Sequence, residues 1–551
     1  MVLDSILKLL AGLGALLLGF KLLSENTEKI ASGGLKRMFN KTSKNPLIGI
    51  LIGAGATAII QSSGATTVMI VGFVNSGIMS LHQATAMIMG ANIGTTITGQ
   101  IASLKSLPVA EVAMALTCVG MGMDMFCKKD KLKTIGLLLA GLGLIFIGLD
   151  FMSSAMDAFR EMPQVVNIFK VIKNPFLLLL IGAVITGVVQ SSSAVTSILI
   201  TMASAGFVIG NGGSSILYIV LGSNIGSTVT ALMSSFTANV NGKRTAIIHL
   251  LFNTVGSLIY FIIFFVWDKV APTSFMDMTF GKWFSDAGTQ VAMFHTFFNV
   301  TCSIIFLPFI KVFVWLATKI YKDKEGEQGR VSHLDNRALR MPAVAIDCVK
   351  REINDTCALA MKTVNDSLTA FIEKDDSKVM DIREEIEQVN EMGKAITEYV
   401  VKVSTADLSY ELEQEIGKFH YIIGDVVRVA ELADNVVKHT EKAVKEDLIF
   451  SDEVKVDLRK MGEDLNNLHT LAMETFLSGS VANVDRVDEL ENNVDNMRRK
   501  LVQGHVDRLG EGKCQPQSSG VFINLVGNME RIGDHLHAIG LSVKGKIKDM
   551  F

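Results

Sequence analysis

The pattern of apolar and polar positions changes near residue 320 of this chain. Ahead of that point, long stretches of Leu, Ile, Val, Gly and Ala run without a charge: none occurs from Asn45 to Leu104, nor from Asn174 to Gly242. A charge at mid-bilayer costs roughly 2.5–3.5 kcal/mol even on insertion scales, so such stretches predict a membrane-embedded half. From Asp335 onward, apolar residues recur at spacings of three and four, as in Val426, Val427, Val429, Ala430, Ala433 and Val437, with charges on the other faces. That period predicts amphipathic helices. Four to six of them, joined by short polar linkers such as Ser451-Asp452 and Gly510 to Ser519, would form an antiparallel bundle. Between the halves lies a charged stretch, KDKEGEQGR at Lys322 to Arg330. The expected layout is a membrane part over residues 1–320, a linker over 321–334 and a soluble helical part over 335–551. The expected fold class is all-α.

The membrane part repeats itself. GLGALLLGFKLLS from Gly12 aligns with GLGLIFIGLDFMS from Gly141, so that Gly14, Gly19 and Ser24 meet Gly143, Gly148 and Ser153. Asn45-Pro46 then meets Asn174-Pro175, and Gln61-Ser62-Ser63 meets Gln190-Ser191-Ser192, at one offset (190 − 61 = 129). GANIGTT at Gly90 matches GSNIGST at Gly222 three residues later (222 − 90 = 132). Apolar sequence aligns by accident, but not at a fixed offset across several polar and proline marks. Repeat 1 is placed at about 5–127, repeat 2 at about 132–267 and an extra span at 287–317. Because 12–24 is a repeat member, the apolar start of the chain is not expected to be a cleaved signal peptide.

Basic residues give the repeats a direction. The segment after the first span carries Lys21, Lys29, Lys36, Arg37, Lys41 and Lys44 against Glu25 and Glu28, which places it in the cytoplasm. Lys128-Lys129-Asp130-Lys131-Leu132-Lys133 reads the same way. One span, about Thr134 to Leu149, then leads to the equivalent segment Asp150 to Lys173, which mixes three acidic with three basic residues. Equivalent segments on opposite faces mean an inverted repeat, the arrangement with which secondary transporters build a site at the bilayer midplane. Two further spans are expected at Thr245 to Val266 and Ala287 to Leu316, and the three tryptophans, Trp267, Trp283 and Trp315, fall at span ends.

Composition adds little beyond this split. The chain is 49% hydrophobic and 19% charged, with a mean hydropathy of +0.38. A net charge of −3 and the lack of a basic stripe with interleaved aromatics give no reason to expect nucleic acid. The six cysteines stand in neither a disulfide framework nor a zinc-ligand spacing.

Candidate chemistry lies where Gly, Ser and Thr interrupt the apolar runs. Pro46 to Ser76 and Pro175 to Ala205 each fit two short helices with a polar centre, and polar backbone at membrane depth survives only where it is buried in protein or lines a wet cavity. Each is read as a re-entrant hairpin with its tip at Gln61-Ser62-Ser63 or Gln190-Ser191-Ser192-Ser193. Hydroxyls, amides and helix N-termini there can hold an anion without arginine. Thr66, Thr67, Ser193 and Thr196 offer the oxygens that sodium wants. The segments Asn92 to Thr96 and Asn224 to Thr228, including Thr95 and Ser227, are expected as breaks in crossing helices that offer the same groups from another direction. Plain helix packing by small residues is the alternative. His249 with Asn253, and His295 with Asn299, lie four apart on one helical face; a functional role and interhelical hydrogen bonding both remain open. No nucleotide-binding loop or nucleophile–base–acid set is present in the membrane half, so neither a pump driven by ATP nor an enzyme is expected.

The doubled segments QSSGATTVM and QSSSAVTSI, followed by GANIGTT and GSNIGST, resemble the type II sodium/phosphate cotransporters and their bacterial relatives over roughly residues 5 to 320. That resemblance implies sodium-driven uptake of inorganic phosphate across the cell membrane, with Gln61, Ser62, Ser63, Gln190, Ser191, Ser192 and Ser193 forming the substrate and sodium site. Gly64 stands where the second repeat has Ser193, which leaves open which hairpin takes which ion. The tail resembles the PhoU family of phosphate regulators through NMERIGDHLHAIG at Asn528 and, less closely, RVAELADNVVKH at Arg428. It implies two related three-helix halves on the cytoplasmic side, a bundle that often pairs into a homodimer, and a divalent or trivalent metal at Glu530 and Asp534 and at Glu431 and Asp434. A solvated helical face is the alternative for these four. A phosphate sensor or scaffold with the bundle as its working part, and a phosphate exporter, stay open beside symport, as do other tetrahedral anions.

Overall fold

The computed structural model describes residues 2–40, 45–106, 110–322, 332–340, 342–405, 408, 410–511 and 515–544. Among them all regular structure is helical. The chain divides into two units, Met1–Val331 and Ser332–Phe551. The linker expected over 321–334 falls mostly on residues 323–331, outside the described residues.

The first unit opens with α1 (Val2–Asn40), then α2 (Pro46–Ile60), α3 (Ser63–Asn75), α4 (Leu81–Ser103) and α5 (Ala110–Phe126). The second repeat supplies α6 (Asp130–Arg160), α7 (Pro163–Val171), α8 (Pro175–Val189), α9 (Ser192–Ser204), α10 (Ser215–Ser227), α11 (Val229–Ser235) and α12 (Val240–Val270). A short α13 (Phe275–Met278) leads to α14 (Ala287–Phe306) and α15 (Ile310–Ile320). Among the described residues five stretches are long and apolar enough to cross a bilayer: Leu3–Thr27, Asp130–Arg160, Ser215–Ser235, Val240–Val270 and Ala287–Ile320. By contrast α2, of 15 residues, reaches about 22 Å against roughly 30 Å of hydrocarbon. The four helices α2, α3, α8 and α9 are thus too short to span.

Glycines set the packing. A Cβ on Gly53 would come within 2.1 Å of Met87 O, and one on Gly90 within 2.0 Å of Ile50 O, so α2 and α4 touch backbone to backbone. The second repeat reproduces this contact: Gly182 would meet Ile219 O at 2.1 Å and Gly222 would meet Leu179 O at 1.9 Å. The repeat-equivalent helices α1 and α6 pack on each other. Gly12 faces Gly148 and Gly19 faces Gly141, so they run antiparallel, and each contact is the image of the other under the repeat.

Three expectations need correction. Residues 21–40 and 150–160 are helical rather than connecting segments: α1 runs on to Asn40 and α6 to Arg160. Both stretches are rich in helix formers and meet no proline until Pro46 and Pro163. Next, α4 passes through Asn92 unbroken. Asn92 Nδ2 donates to Ile88 O at 2.9 Å, and Gly90 and Gly94 serve close approach rather than a kink. Only the second repeat is interrupted there, at Thr228, between α10 and α11. Finally, the span from Ala287 is divided at Leu307–Phe309, where Pro308 removes a backbone donor.

The second unit holds six long helices: α16 (Pro342–Glu373), α17 (Val379–Ser404), α18 (Tyr410–Lys445), α19 (Asp452–Ser478), α20 (Val484–Gly510) and α21 (Ser518–Leu541). The three-and-four pattern read on α18 turns inward: Val426, Val429, Ala430, Ala433 and Val437 are all buried. Burying such apolar stripes stabilises the bundle at about 25 cal/mol per Å².

Candidate functional site

Each Gln-Ser-Ser is a corner between two short helices. Asn45 caps the start of α2 by accepting from Leu47 N at 3.0 Å, with Pro46 in the first turn. Gln61 then takes φ 55°, a left-handed conformation that ends the helix, and its N–H reaches back to Thr57 O at 2.7 Å. Ser62 is extended, and its hydroxyl caps α3 by accepting from Ala65 N at 3.2 Å. The second corner repeats every step: Asn174 caps α8, Gln190 has φ 56°, and Ser191 accepts from Ala194 N at 3.3 Å. A non-glycine residue at positive φ is uncommon, and such strain gathers at functional sites. Here it occurs twice, in register.

The two corners meet. Gln61, Ser62, Ser63, Gln190, Ser191, Ser192 and Ser193 line one cavity of about 40 Å³, together with Gly64, Ser227 and Thr230. That volume holds roughly three waters. Among the described residues, no charged side chain lines it. Each corner sets the C-terminal carbonyls of one helix beside the N-terminal amides of the next, so oxygens for a cation and N–H donors for an anion stand side by side.

Other expected residues lie in the walls behind. Thr66 and Thr67 donate to Ser62 O (3.0 Å) and Ser63 O (2.8 Å) within α3. On α4, Thr95 donates to Ala91 O at 2.9 Å and Thr96 to Ile93 O at 2.7 Å. Asn224 Nδ2 donates to Val220 O at 2.9 Å, Ser227 to Asn224 O at 2.6 Å and Thr228 to Ile225 O at 2.7 Å. Thr196 is buried, and its hydroxyl has no partner. Of these expected residues only Ser227 lines the cavity; Thr66, Thr67, Asn92, Thr95, Thr96, Thr196, Asn224 and Thr228 do not. Two residues were missed by sequence reasoning. Thr98 donates to Gln61 Oε1 at 3.1 Å, and Thr230 lines the cavity. Both follow the Asn-Ile-Gly segments and share their offset (230 − 98 = 132), so carrying the repeat one turn further finds them.

The corners are not equally held. Ser24 of α1 donates to Ile60 O at 2.5 Å, and Thr98 ties down the Gln61 amide. Gln190 reaches only the thioether of Met233, at 3.4 Å, and is exposed.

In the helical bundle, carboxylate oxygens of Glu491, Asp495 and Asp534 lie within 4.8 Å of one another. Glu530 has its carboxyl raised above the ordinary value by burial and, further, by Asp534 and Asp495, although Arg498 lies 3.6 Å away. Glu491 is raised by burial and by the same acidic neighbours. Glu491, Asp495 and Asp534 could hold a cation; Glu530 faces Arg498, and Asp495 lies 3.4 Å from Arg499. The first half differs: Asp434 is engaged by Arg383 at 3.1 Å and Lys438 at 2.7 Å, and Glu431 pairs with Arg428. A metal at Glu431 and Asp434 would have to displace three basic side chains, because lysine and arginine already supply the positive charge there.

Residues 15–154 and 159–281 match the family model of the Na+/Pi-cotransporter, and residues 353–440 and 458–543 match the PhoU domain. The protein named "Putative inorganic phosphate export protein YjbB" in Escherichia coli (strain K12) is 26% identical over 550 residues, covering 98% of this chain and 97% of that protein. "Sodium-dependent phosphate transport protein 2B" of Homo sapiens is 43% identical over 63 residues, which is 11% of this chain and 9% of that protein. The crystal structure of PhoU from Pseudomonas aeruginosa aligns with a TM-score of 0.33 and 21% identity, over 35% of this chain and 93% of that one. Among the described residues five apolar helices reach spanning length, and the two family matches divide along the same line: the apolar part of the chain matches the Na+/Pi-cotransporter family and the C-terminal part carries two PhoU domain segments.

Proposed function

We propose that this protein moves inorganic phosphate across the cytoplasmic membrane together with sodium. The convergence of both Gln-Ser-Ser corners on one uncharged cavity carries the reading. A phosphate placed there meets hydroxyls and two helix N-termini but no arginine or lysine, so a co-bound cation is needed to balance its charge. Coupling then has a physical cause: without sodium, the anion site is under-charged. The self-complementary, antiparallel contact of α1 with α6 supports an inverted repeat, and with it alternating access about a fixed central site. The PhoU part lies in the cytoplasm and regulates transport, holding a divalent or trivalent metal at Glu491, Asp495, Glu530 and Asp534.

Uptake of radiolabelled phosphate into proteoliposomes, with and without an inward sodium gradient, tests this. Wild type takes up phosphate only with sodium, and Gln190→Ala with Ser191→Ala abolishes uptake. Equal uptake in sodium and choline sinks the coupling. An inactive wild type that is folded and inserted turns the weight to a phosphate sensor. One observation favours a second direction of flow: a relative that matches almost the whole chain is named for phosphate export. Release from phosphate-loaded vesicles under an outward gradient distinguishes export from uptake.

A further inference from the structure

We infer that His295, on a helix outside both repeats, is a positioning residue for the wall of the corner cavity; the inference rests on the reading of that cavity as the phosphate site. His295 is 2% exposed, on α14. Its Nε2 lies 3.3 Å from Asn224 Oδ1. The Asn224 amide nitrogen already donates to Val220 O, so the oxygen facing the ring is an acceptor. In this pairing Nε2 carries the proton and donates to the amide oxygen. Its other nitrogen, Nδ1, is buried without a partner and faces Gly99.

What the bond holds in place is the end of α10. This helix stops at Ser227, three residues beyond Asn224, because the chain breaks at Thr228. Ser227 donates to Asn224 O and lines the cavity. At Thr228 the helix tightens for one turn, its N–H reaching Ile225 O at 3.1 Å before α11 begins at Val229, and His295 holds the chain beside this irregular turn from the side. The same helix α14 is fastened to the first repeat. Gln100 of α4 donates to Ala292 O (3.1 Å) and Thr296 Oγ1 (2.7 Å), and Ser303 donates to Met89 O (3.3 Å). So α14 bridges α4 and α10, but its histidine touches the asparagine only on the helix that is broken.

The test is a double-mutant cycle of His295→Leu and Asn224→Ala in the full chain, with His295→Gln as the variant that keeps an N–H donor. In proteoliposomes, His295→Leu is expected to raise the phosphate KM about tenfold with kcat within about threefold, the scale of one lost buried hydrogen bond. His295→Gln returns KM to within about threefold of wild type. Asn224→Ala matches His295→Leu, and the double variant is no worse than either. Multiplying effects in the double variant, or an unchanged KM in His295→Leu, overturn the inference. Should the leucine variant fail to insert, His295→Asn, too short to reach, replaces it in the same comparison. Thermal unfolding midpoints of the four proteins in detergent close the cycle without transport. If wild type proves inactive, the transport reading falls, and non-additive midpoints still support the His295–Asn224 link while additive ones overturn it.

Discussion

Position 64 is where the two corners differ in composition, and the structure gives the difference a cause. A Cβ on Gly64 would lie 3.4 Å from Thr230 Cγ2, across the cavity wall. Ser193, at the equivalent place in the other corner, already lines the same cavity. A Cβ at position 64 would be in ordinary van der Waals contact with Thr230, and a hydroxyl beyond it would enter the space that Ser193 already lines. Gly64→Ser is therefore expected to take up part of the 40 Å³ space and to raise the phosphate KM about tenfold, equivalent to about 1.4 kcal/mol, while the folded yield stays as in wild type. Phosphate titrations of sodium-driven uptake check it; an unchanged KM would mean that the cavity is not where phosphate binds. At this scale most of the site was legible, because Gln, Ser and Asn stand out in charge-free apolar sequence and the offset marks which belong together. The left-handed turn at Gln61 and Gln190 was not legible, since glutamine has no preference for it; only tertiary packing holds it there. Thr98 and Thr230 were hidden for a simpler reason: threonine in a membrane helix usually bonds its own backbone, and nothing local separates these two from Thr95 or Thr96.

Helix pairs in the membrane unit depend on glycine, and the cost of replacing one should follow what stands opposite. A Cβ on Gly222 would lie 1.9 Å from Leu179 O, whereas one on Gly122 meets nothing within 4 Å. Gly222→Ala is expected to destabilise the protein by about 1–3 kcal/mol through forced separation of α8 and α10. Gly122→Ala should be neutral or slightly stabilising, because alanine is the better helix former. Comparing detergent-solubilised yield and unfolding midpoint for the two variants checks this. Equal behaviour would mean the helices are not packed as described. The same glycines explain a misreading. Gly90 and Gly94 around Asn92 look like a helix break in sequence, yet the helix satisfies Asn92 through Ile88 O and uses the missing side chains for contact. A glycine that loosens a helix and one that lets a neighbour in are alike in one dimension; the partner decides. Helix ends were blurred for a related reason, since charged helix formers prolong α1 and α6 past the expected spans without any local stop signal.

At the scale of the whole molecule, the bundle places an acidic cluster in its second three-helix half and an ion-paired equivalent in its first, and this asymmetry has a pH signature. Glu491 and Glu530 have their carboxyls raised by burial and by neighbouring carboxylates. Over the pH range between their unfolded and folded values, the folded chain binds more protons than the unfolded one, so stability falls as pH rises. The penalty is complete above the folded values and is relieved as pH drops through them towards the ordinary carboxylate range. A divalent or trivalent cation bound as proposed would replace those protons. Its effect must therefore be largest at neutral pH, where the carboxylates are charged, and must fade under acid. Asp434 is held below its ordinary value by Lys438 and Arg383, which outweigh burial, so its contribution is present at neutral pH and is lost as pH falls. The full-length protein titrated with manganese at pH 7.5 and at pH 5 should show a larger rise in unfolding midpoint at the higher pH. Asp534→Asn should remove the shift, and Asp434→Asn should leave it in place while lowering the starting stability. If the PhoU part regulates transport, the same titration should change the rate of sodium-driven phosphate movement in wild type and not in Asp534→Asn. A metal shift that survives Asp534→Asn and disappears in Asp434→Asn would move the cation site to the first half and reverse the assignment made from the two sets of ion pairs.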